Sequence, residues 1–320
     1  MIDVVALGEL LIDFTCVETD GQGYPTMAAH PGGAPANYLA AVSKFGGNAA
    51  MIGKVGSDSF GKLLTQTLNN AGIETRNLIA VDDVFTTLAF VTLDKTGNRD
   101  FSFARKPGAD MMLQYDEINL SLLDEASVFH FGTLSLTNEP ARTATQMAVA
   151  YAKSKGKLIS YDPNLRKPLW TDLEEAKRQM LWGLSQADVV KISDEEVEFL
   201  FQLNAADGAK YIIEYFNVQL VYVTCGADGC VYRTQQASGE VPGMRGLQVV
   251  DTTGAGDIFG GSAMWKLLQT GKAPAELSKA ELEGISTFAC TSASLSTTRS
   301  GGISSVPELD EVLEMMAKRK

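Results

Sequence analysis

Short runs of apolar residues alternate along most of the chain with segments in which apolar residues recur at helical spacing. The runs predict buried strands at residues 4–7, 50–55, 128–132, 158–161, 189–192 and 220–224. The segments between them predict helices at residues 37–45, 60–71, 140–155 and 173–184. Strands that alternate with helices in this way predict a parallel sheet with helices on its faces.

Two segments break this pattern because they follow one another without a helix. Residues 86–94 and 99–105 have strand character, and residues 95–98, KTGN, form a typical hairpin turn between them. Phe103 and Arg105 alternate onto one face of the second strand. We expect these two strands to form a small β-sheet beside the main sheet. Its aromatic and cationic face either contacts a ligand or packs as a lid on its own domain.

The overall composition limits the classes of function. The chain has 320 residues, 45% of them hydrophobic, so a sizeable core can form. Its net charge of −12 repels phosphate backbones and anionic lipid surfaces, so we expect neither nucleic acid nor a membrane as a partner. The sequence contains two histidines, His30 and His130, which are few for a Ser-His-Asp hydrolase or a multi-histidine metal site.

The four cysteines show no spacing typical of a metal site or a disulfide framework. They are Cys16, Cys225, Cys230 and Cys290. The N-terminus has neither a basic leader region nor an apolar stretch near the roughly 20 residues of a membrane helix. We therefore expect reduced, buried thiols, no membrane anchor and a cytoplasmic location.

Residues 249–261 carry the strongest chemical signal. They predict a β-branched strand that ends at Asp251, a glycine-rich turn, and a helix that continues through Leu268. Glycines at a helix start leave backbone N–H groups uncovered, and together with the helix dipole these favour negative charge. Asp257 in this turn is either a helix cap or a base that accepts a hydroxyl proton while the amides stabilise a transferring phosphoryl group. The paired glycines and the lack of another base favour the second interpretation.

Two other nucleotide-binding motifs fit less well. Residues 56–62 have the spacing of a Walker A loop, but Leu63 stands where a Ser or Thr hydroxyl should hold magnesium. The glycines within residues 254–260 miss the GxGxxG fingerprint by one residue and lie far from a first βαβ unit. A nicotinamide oxidoreductase is therefore only an alternative.

A second glycine-rich loop lies near the N-terminus. Residues 31–37, PGGAPAN, end a loop and begin a helix, so the backbone can approach a ligand while Asn37 offers both a donor and an acceptor. Asp13 follows the first strand and can accept hydrogen bonds from sugar hydroxyls. These features suit a polyhydroxylated substrate, although a plain turn with a helix cap explains them as well.

Together these segments resemble the ribokinase-like (pfkB) family of carbohydrate kinases over essentially the whole chain. Residues 32–61 and residues 251–261, DTTGAGDIFGG, are similar to the two signatures of this family. The resemblance implies a single α/β domain of residues 1–320, a three-layer α/β/α sandwich with a mostly parallel central sheet. It also implies a small β-sheet lid built from segments of about 14–30 and 85–105, ATP as the phosphoryl donor and Mg²⁺ as its charge partner.

The resemblance also implies roles for individual residues. Asp257 would be the catalytic base, with an anion hole formed by Gly254, Ala255 and Gly256. The sugar ligands would be Asp13, Gly32, Gly33 and Asn37. The nucleotide would be bound by Lys191, Thr224, Gly226 and Gly229. Glu196 would hold magnesium through water, in a segment that has Ser193 where the family usually has Asn.

Many members of the family bind a monovalent cation beside the anion hole. Residues 296–305, STTRSGGISS, are similar to the segment that supplies its ligands, which are mostly backbone carbonyls. The resemblance thus implies a K⁺ site formed by Asp251, Thr253, Ser296, Arg299, Gly301 and Ser305.

Within the family, residues 99–113 and 161–170 are most similar to fructokinases, and residues 191–196 agree. We therefore expect phosphorylation of fructose at its primary hydroxyl, with further sugar contacts from Phe103, Arg105, Asn164 and Arg166. The nearest alternative is 2-dehydro-3-deoxygluconate kinase, in which arginines at the places of Arg105 and Arg166 hold a carboxylate. Other sugar or nucleoside kinases and a non-catalytic sugar-binding regulator stay open. The expected partners are a small-molecule sugar and a second copy of the chain, bound through the lid.

Overall fold

The computed structural model describes residues 1–93 and 99–318. The strands within them are β1 (Ile2–Leu7), β2 (Leu11–Thr19), β3 (Pro25–Gly32), β4 (Ala49–Gly56), β5 (Ile73–Val81), β6 (Leu88–Leu93), β7 (Arg99–Ala104), β8 (Ala126–Gly132), β9 (Leu158–Asp162), β10 (Val189–Ser193), β11 (Leu220–Thr224), β12 (Cys230–Arg233) and β13 (Ser238–Val241). The α-helices are α1 (Ala34–Lys44), α2 (Ser59–Asn70), α3 (Leu120–Glu125), α4 (Ala141–Ser154), α5 (Leu173–Gln186), α6 (Asp194–Phe201), α7 (Ala205–Phe216), α8 (Ala255–Leu268), α9 (Lys279–Ser296) and α10 (Leu309–Lys318).

The predicted parallel sheet is present. Its strands follow the order β13-β12-β11-β10-β9-β8-β1-β4-β5. Neighbouring strands are parallel from β11 through to β5, while β12 and β13 form an antiparallel edge. All six apolar runs that predicted strands lie in this sheet, because strands buried on both faces are apolar along their whole length. The four predicted helices correspond to α1, α2, α4 and α5.

Side chains on the two faces of this sheet enter two separate cores. In β1, Val4 and Ala6 belong to the core that includes α1, α8 and α9. Val5 and Leu7 belong to the core that includes α4, α5 and α7. Helices therefore cover both faces, which confirms the three-layer α/β/α arrangement.

A smaller second sheet has the strand order β3-β2-β6-β7. Its strands β6 and β7 are the two predicted hairpin strands, and the predicted turn at residues 95–98 lies outside the described residues. The register pairs Asp13 with Ala89 and Ala89 with Phe103, so these three residues share one face of the sheet. Leu11 and Ile12 are buried at the base of β2, and residues 16–19 at its far end are exposed.

Residues 249–251 do not form a strand, and that prediction is wrong. Val249 and Val250 are 60% and 57% exposed in the loop that precedes α8. The backbone N–H groups of Val250 and Asp251 both donate to the carbonyl of Thr297. β-Branched residues favour a strand only where a neighbouring strand and a buried face are available, and in the described part of the chain no strand pairs with this segment.

All four cysteines lie within the described ranges and form no disulfide. Cys230 and Cys290 are buried as predicted, and Cys225 is half-buried. The prediction of a buried thiol is wrong for Cys16, which is exposed on β2 because it lies beyond the buried base of the second sheet.

Among the helices of residues 1–93 and 99–318, none has both the length and the apolar character that a membrane crossing requires.

The carboxyl ends of the parallel strands meet at one edge of the main sheet. Here β9 ends at Asp162, β10 at Ser193 and β11 at Thr224. In open α/β sheets ligands bind at this edge, outside the carboxyl ends of the strands. The fold thus gathers predicted site residues that are far apart in the sequence.

Candidate active site

The N-terminus of α8 lines a large cavity at this edge of the sheet. The cavity encloses about 940 Å³, and Gly254, Ala255, Gly256 and Asp257 are among its lining residues. Gly254 has a left-handed φ of 76°, which favours glycine and lets the chain turn sharply into the helix. Because the first turn of a helix carries N–H groups without intrahelical partners and the positive end of the dipole, this part of the cavity suits an anion.

Asp257 lies buried in the first turn of α8. Its Oδ2 accepts a hydrogen bond of 2.9 Å from Nδ2 of Asn37. Burial raises the pKa of Asp257 above its ordinary value, although the charges of Lys191 and Arg166 and the hydrogen bond from Asn37 lower it. A buried carboxylate with a raised pKa and its face toward a ligand cavity has the properties of a general base.

Asn37 is held in place by the packing of α1. The ring of the next residue, Tyr38, stacks on His130 with the ring centroids 3.8 Å apart, and its hydroxyl lies 3.2 Å from Oγ of Ser160. Burial lowers the pKa of His130 to about 3, so the imidazole is neutral. Oδ1 of Asn37 is buried without a hydrogen-bond partner among the described residues, so its capacity to accept a hydrogen bond is unused there.

Lys191 brings a buried positive charge to the same place. Its Nζ lies 3.0 Å from Oδ2 of Asp162, and a Cβ added to Gly256 would lie 2.9 Å from that Nζ. Burial by itself lowers the pKa of Lys191, but the carboxylates around it, with Asp162 foremost, more than offset this and raise the pKa. The ammonium group is therefore charged, and it packs against the first turn of α8.

Asp13, Gly32 and Gly33 meet at the base of the second sheet. A Cβ on Gly32 would lie 2.4 Å from Oδ2 of Asp13. Gly33 has a φ of 117°, and a Cβ there would lie 2.4 Å from the carbonyl oxygen of Glu9. A side chain at either glycine would collide with these neighbouring atoms, so glycine lets the chain pass close to Asp13 and Glu9.

Asp13 belongs to the same electrostatic environment as Asp257. Burial raises its pKa to about 7, while Arg166 lowers that pKa and Asp257 raises it. Arg166 and Asn164 line the cavity, and Asn164 has a left-handed φ of 46°. Asp13 and Asn37 thus lie near Asp257, and Asn164 and Arg166 line the cavity that Asp257 also lines.

Arg105 and Phe103 are placed differently from one another. Phe103 is half-buried on the face of the second sheet that it shares with Asp13. The Arg105 side chain is buried, and its Nε and Nη2 lie 2.8 and 2.7 Å from Oδ2 of Asp110. Nη1 donates to Oγ1 of Thr137 at 2.9 Å, and Nη2 also donates to the carbonyl of Leu134 at 3.1 Å. All three guanidinium nitrogens of Arg105 are thus engaged by hydrogen bonds or an ion pair within the protein.

The residues predicted to bind nucleotide line the same cavity as the start of α8. Thr224 ends β11, and Gly226 and Gly229 flank the short turn that leads to β12. Gly229 has a φ of 104°, and a Cβ there would lie 2.0 Å from the carbonyl oxygen of Val241. The close backbone approach explains why a glycine occupies this position.

Glu196, predicted to hold magnesium through water, is buried in the first turn of α6 and lines the cavity. It forms a capping box with Ser193 at the start of α6, so Ser193 serves as a helix cap where the family usually has Asn. Its two carboxylate oxygens accept backbone N–H groups of Leu165 and Ser193 at 2.6 and 2.9 Å. Across residues 1–93 and 99–318, no cluster of three His, Cys, Asp or Glu side chains could hold a metal ion. Mg²⁺ would therefore take most ligands from phosphate and water, as is usual for this ion.

Asp251 organises the loop predicted to bind K⁺. Its Oδ1 accepts from the N–H and the hydroxyl of Thr253 at 2.9 and 2.7 Å, and its Oδ2 accepts from the N–H of Gly301 at 3.0 Å. The loop lies beside the anion site, because a Cβ on Gly254 would be 3.0 Å from Cα of Gly302.

The other residues predicted for this cation have their side chains engaged elsewhere. The hydroxyl of Ser296 donates to the carbonyl of Ala293 at 2.8 Å, that of Ser305 to the carbonyl of Gly302 at 2.9 Å, and the Arg299 guanidinium pairs with Glu311. The predicted K⁺ site uses mostly backbone carbonyls, so these side-chain contacts leave the prediction untested.

Comparison with known families decides the class of protein to which this site belongs. Residues 1–309 match the model of the pfkB family carbohydrate kinases. The chain belongs to the pfkB family of carbohydrate kinases. The predicted family and the ribokinase-like fold are confirmed, and the nicotinamide oxidoreductase alternative is left without support.

Individual members of the pfkB family are similar over nearly the full length. The chain is 42% identical over 320 residues to fructokinase-1 of Zea mays, with 98% of each chain covered. A fructokinase from Xylella fastidiosa with bound ATP superimposes with a TM-score of 0.91 at 31% identity, covering 100% of this chain and 99% of that one. A fructokinase double mutant from Vibrio cholerae O395, with fructose, ADP and a potassium ion, gives a TM-score of 0.85 at 31% identity and 98% coverage of both chains.

Three carboxylates of the site region were not predicted from the sequence. Asp162 pairs with Lys191, Asp110 pairs with Arg105, and Glu9 accepts the N–H of Ala34 at 2.9 Å at the start of α1. Asp162 could have been found, because it directly follows a buried strand at the ligand-binding edge of a parallel sheet. Asp110 and Glu9 carry no comparable signal, since each lies in a short loop where an acidic residue is ordinary.

Proposed function

We propose that this protein phosphorylates fructose at its primary hydroxyl with ATP as the phosphoryl donor. The observation that carries the proposal is the position of Asp257, a buried carboxylate held by Asn37 in the first turn of α8, where it lines a cavity large enough for a nucleotide. The likeness to fructokinases over nearly the whole chain supports fructose as the acceptor.

The reaction transfers a phosphoryl group without an oxidant or reductant. Asp257 accepts the proton of the sugar hydroxyl, the hydroxyl oxygen forms a bond to the γ-phosphorus, and the bond from that phosphorus to the β,γ-bridging oxygen breaks. The products are a sugar phosphate, ADP and a proton, which Asp257 later releases to water.

Charge that develops on the transferring group meets positive potential at the start of α8. The amides of Gly254, Ala255 and Gly256 and the helix dipole face this charge. Lys191 adds an ammonium group that packs against Gly256. A Cβ added to that glycine would lie 2.9 Å from Nζ of Lys191. These groups are in place before the reaction, so no large reorganisation opposes it.

The sugar is bound at the end of the cavity where the second sheet meets the main sheet. Asp13 accepts hydroxyl hydrogens, the backbone at Gly32 and Gly33 allows close approach, and Oδ1 of Asn37 accepts a further hydroxyl. Asn164 and Arg166 line the cavity, with Arg166 close enough to act on Asp13, and Phe103 offers an apolar surface from the second sheet.

The nucleotide and its cations occupy the rest of the cavity. Thr224, Gly226, Gly229 and Lys191 form the nucleotide side. Mg²⁺ held through water by Glu196 would neutralise phosphate charge, and K⁺ would be held mainly by carbonyl groups around Asp251. Closure of the second sheet as a lid would exclude water from the phosphoryl group.

The oligomeric state and the cellular compartment of the protein are also part of the proposal. The second sheet is the surface through which we expect a homodimer to form. Three cysteines that are at least half-buried and the use of ATP favour the cytoplasm as its compartment.

The Asp257→Asn variant tests this function directly. It keeps the shape of the side chain and removes the base, so we expect kcat to fall by about 10²- to 10⁴-fold. Binding of fructose and ATP, measured by isothermal titration calorimetry, should change little. Turnover of the variant within a few-fold of the parent protein would show that Asp257 is not the base.

A further inference from the structure

The pairing of Arg105 bears on which sugars the site accepts. The two side chains of the Arg105–Asp110 ion pair are each 2% exposed. All three guanidinium nitrogens of Arg105 contact protein acceptors, namely Asp110, Thr137 and Leu134. A second bond fixes Asp110, because its Oδ1 accepts the hydroxyl of Thr87.

Arg105 lies near the start of α1, the region assigned to the sugar. It comes directly after β7, two residues beyond Phe103, and its charge lowers the pKa of Glu9, whose carboxylate accepts the N–H of Ala34 next to Gly33. Its partner Leu134 comes directly after β8, at the carboxyl edge of the main sheet. The guanidinium therefore sits where the two sheets meet, beside the region assigned to the sugar.

The charges that remain there are unfavourable for an acidic sugar. The charges of Asp13 and Asp257 act on each other there, and Arg166 acts on both. Lys191 also lines the cavity, but it is paired with Asp162. With the charges of Arg105 and Lys191 balanced by Asp110 and Asp162, a substrate carboxylate meets Asp13 and Asp257 against one unbalanced cation, Arg166. An arginine released from such a pair would instead offer a planar, bidentate partner for a carboxylate.

We propose that Asp110 determines specificity for neutral sugars by holding Arg105 in a buried ion pair, so that substrates bearing a carboxylate are excluded. This inference rests on the proposed sugar kinase activity. Asp110 does not touch the sugar, and it acts through Arg105 as a positioning residue.

The test compares the kcat/KM values of fructose and 2-dehydro-3-deoxygluconate in the parent protein and in Asp110→Asn. The amide keeps the size of the side chain and the contact with Thr87 but removes the negative charge. We expect the ratio of acid to fructose activity to rise about tenfold or more, because a neighbouring cation is freed for the carboxylate. An unchanged ratio in a folded variant overturns the proposal.

Two further variants separate the charge effect from structural loosening. Thr87→Val removes the hydrogen bond to Asp110 but keeps the carboxylate, so the ratio should stay at the parent value. In Asp110→Asn combined with Arg105→Gln, the gain toward the acid should disappear. A gain that persists without Arg105, or one that Thr87→Val reproduces, contradicts the proposed mechanism.

If the Asp110→Asn variant fails to fold, inhibition of the parent protein by an acidic sugar tests the same proposal. Inhibition of fructose phosphorylation by gluconate is compared with inhibition by its neutral amide. We expect the carboxylate to inhibit at least about tenfold more weakly, and equal or stronger inhibition by gluconate would overturn the proposal. Absence of any fructose phosphorylation in the parent protein would instead refute the proposed function and is recognised separately.

Discussion

Burial raises the pKa of the two carboxylates that we assign to the reacting sugar, Asp257 and Asp13. For Asp13 the raised value is about 7, and for Asp257 the direction is the same. A carboxyl group with a raised pKa loses its proton only at higher pH, so both groups are protonated under acidic conditions that leave an ordinary aspartate ionised.

The pH profile of kcat/KM should reflect these shifts. The base form of Asp257 and the acceptor form of Asp13 are needed together, so we expect kcat/KM for fructose to fall as pH decreases through about 7. Initial rates at subsaturating fructose between pH 5 and pH 9 measure this. A profile that stays flat down to pH 5 would contradict the assigned environment of the two carboxylates.

The contact between Gly256 and Lys191 gives a second prediction for a single residue. In Gly256→Ala the new Cβ would lie 2.9 Å from Nζ of Lys191 and displace the ammonium group from the first turn of α8. We expect kcat to fall by about ten- to a hundredfold with little change in stability, because the flexible lysine moves while the misplaced charge weakens catalysis. Steady-state kinetics and a thermal melt check this. Gly284→Ala on α9, where a Cβ meets nothing within 4 Å, is the matched control and should be active.

The sequence is more informative about residues within motifs than about their partners. Asp257, Asn37 and the two glycine-rich loops could be assigned from the sequence, because local motifs specify them. Asp110 could not, since its role depends on Arg105 and Thr87, which the pairing of β6 with β7 brings together just beyond the strand ends. The family resemblance predicted a sugar contact for Arg105, and the sequence carried no sign that its charge is paired with Asp110.

Helices α1 and α8 pack closely enough that the contact tolerates no added atoms. A Cβ on Gly261 would lie 2.1 Å from the carbonyl oxygen of Tyr38, a backbone atom that cannot move by itself. This contact sets the distance between Asn37 on α1 and Asp257 on α8.

Gly261→Ala should therefore affect both stability and activity. Overpacking of this kind costs about 1–3 kcal/mol of the free energy of unfolding, and the helices would separate enough to weaken the Asn37–Asp257 hydrogen bond. We expect a lower urea midpoint together with a reduced kcat. A fully stable and fully active variant would mean that the two helices are not held at this spacing.

At the level of elements, apolar runs predict strands well only where the fold supplies neighbours. The six runs that lie inside the main sheet are strands as predicted. The run at residues 249–251 has the same composition but leads into α8 as an exposed loop. Its N–H groups bond to Thr297, and no local sequence pattern distinguishes that outcome from pairing in a sheet.

The whole molecule assembles one site from residues separated by most of the chain. Asn37 and Asp257 are 220 positions apart and share a hydrogen bond, because α1 and α8 pack directly against each other in one core of the main sheet. The three-layer fold could be predicted from the alternation of strands and helices and from the family resemblance. The direction in which the second sheet faces could not, since it depends on the register of strands that are distant in the sequence.

The measurement that tests this account most directly is kcat/KM for ATP-dependent phosphorylation, with Mg²⁺ present, over fructose, ribose, tagatose, adenosine and 2-dehydro-3-deoxygluconate. We expect fructose to exceed every other acceptor, with one phosphorylated sugar formed per ADP released. A higher value for 2-dehydro-3-deoxygluconate would contradict both the assigned substrate and the paired state of Arg105. Phosphorylation of none of the five would contradict the assignment of catalysis to this site.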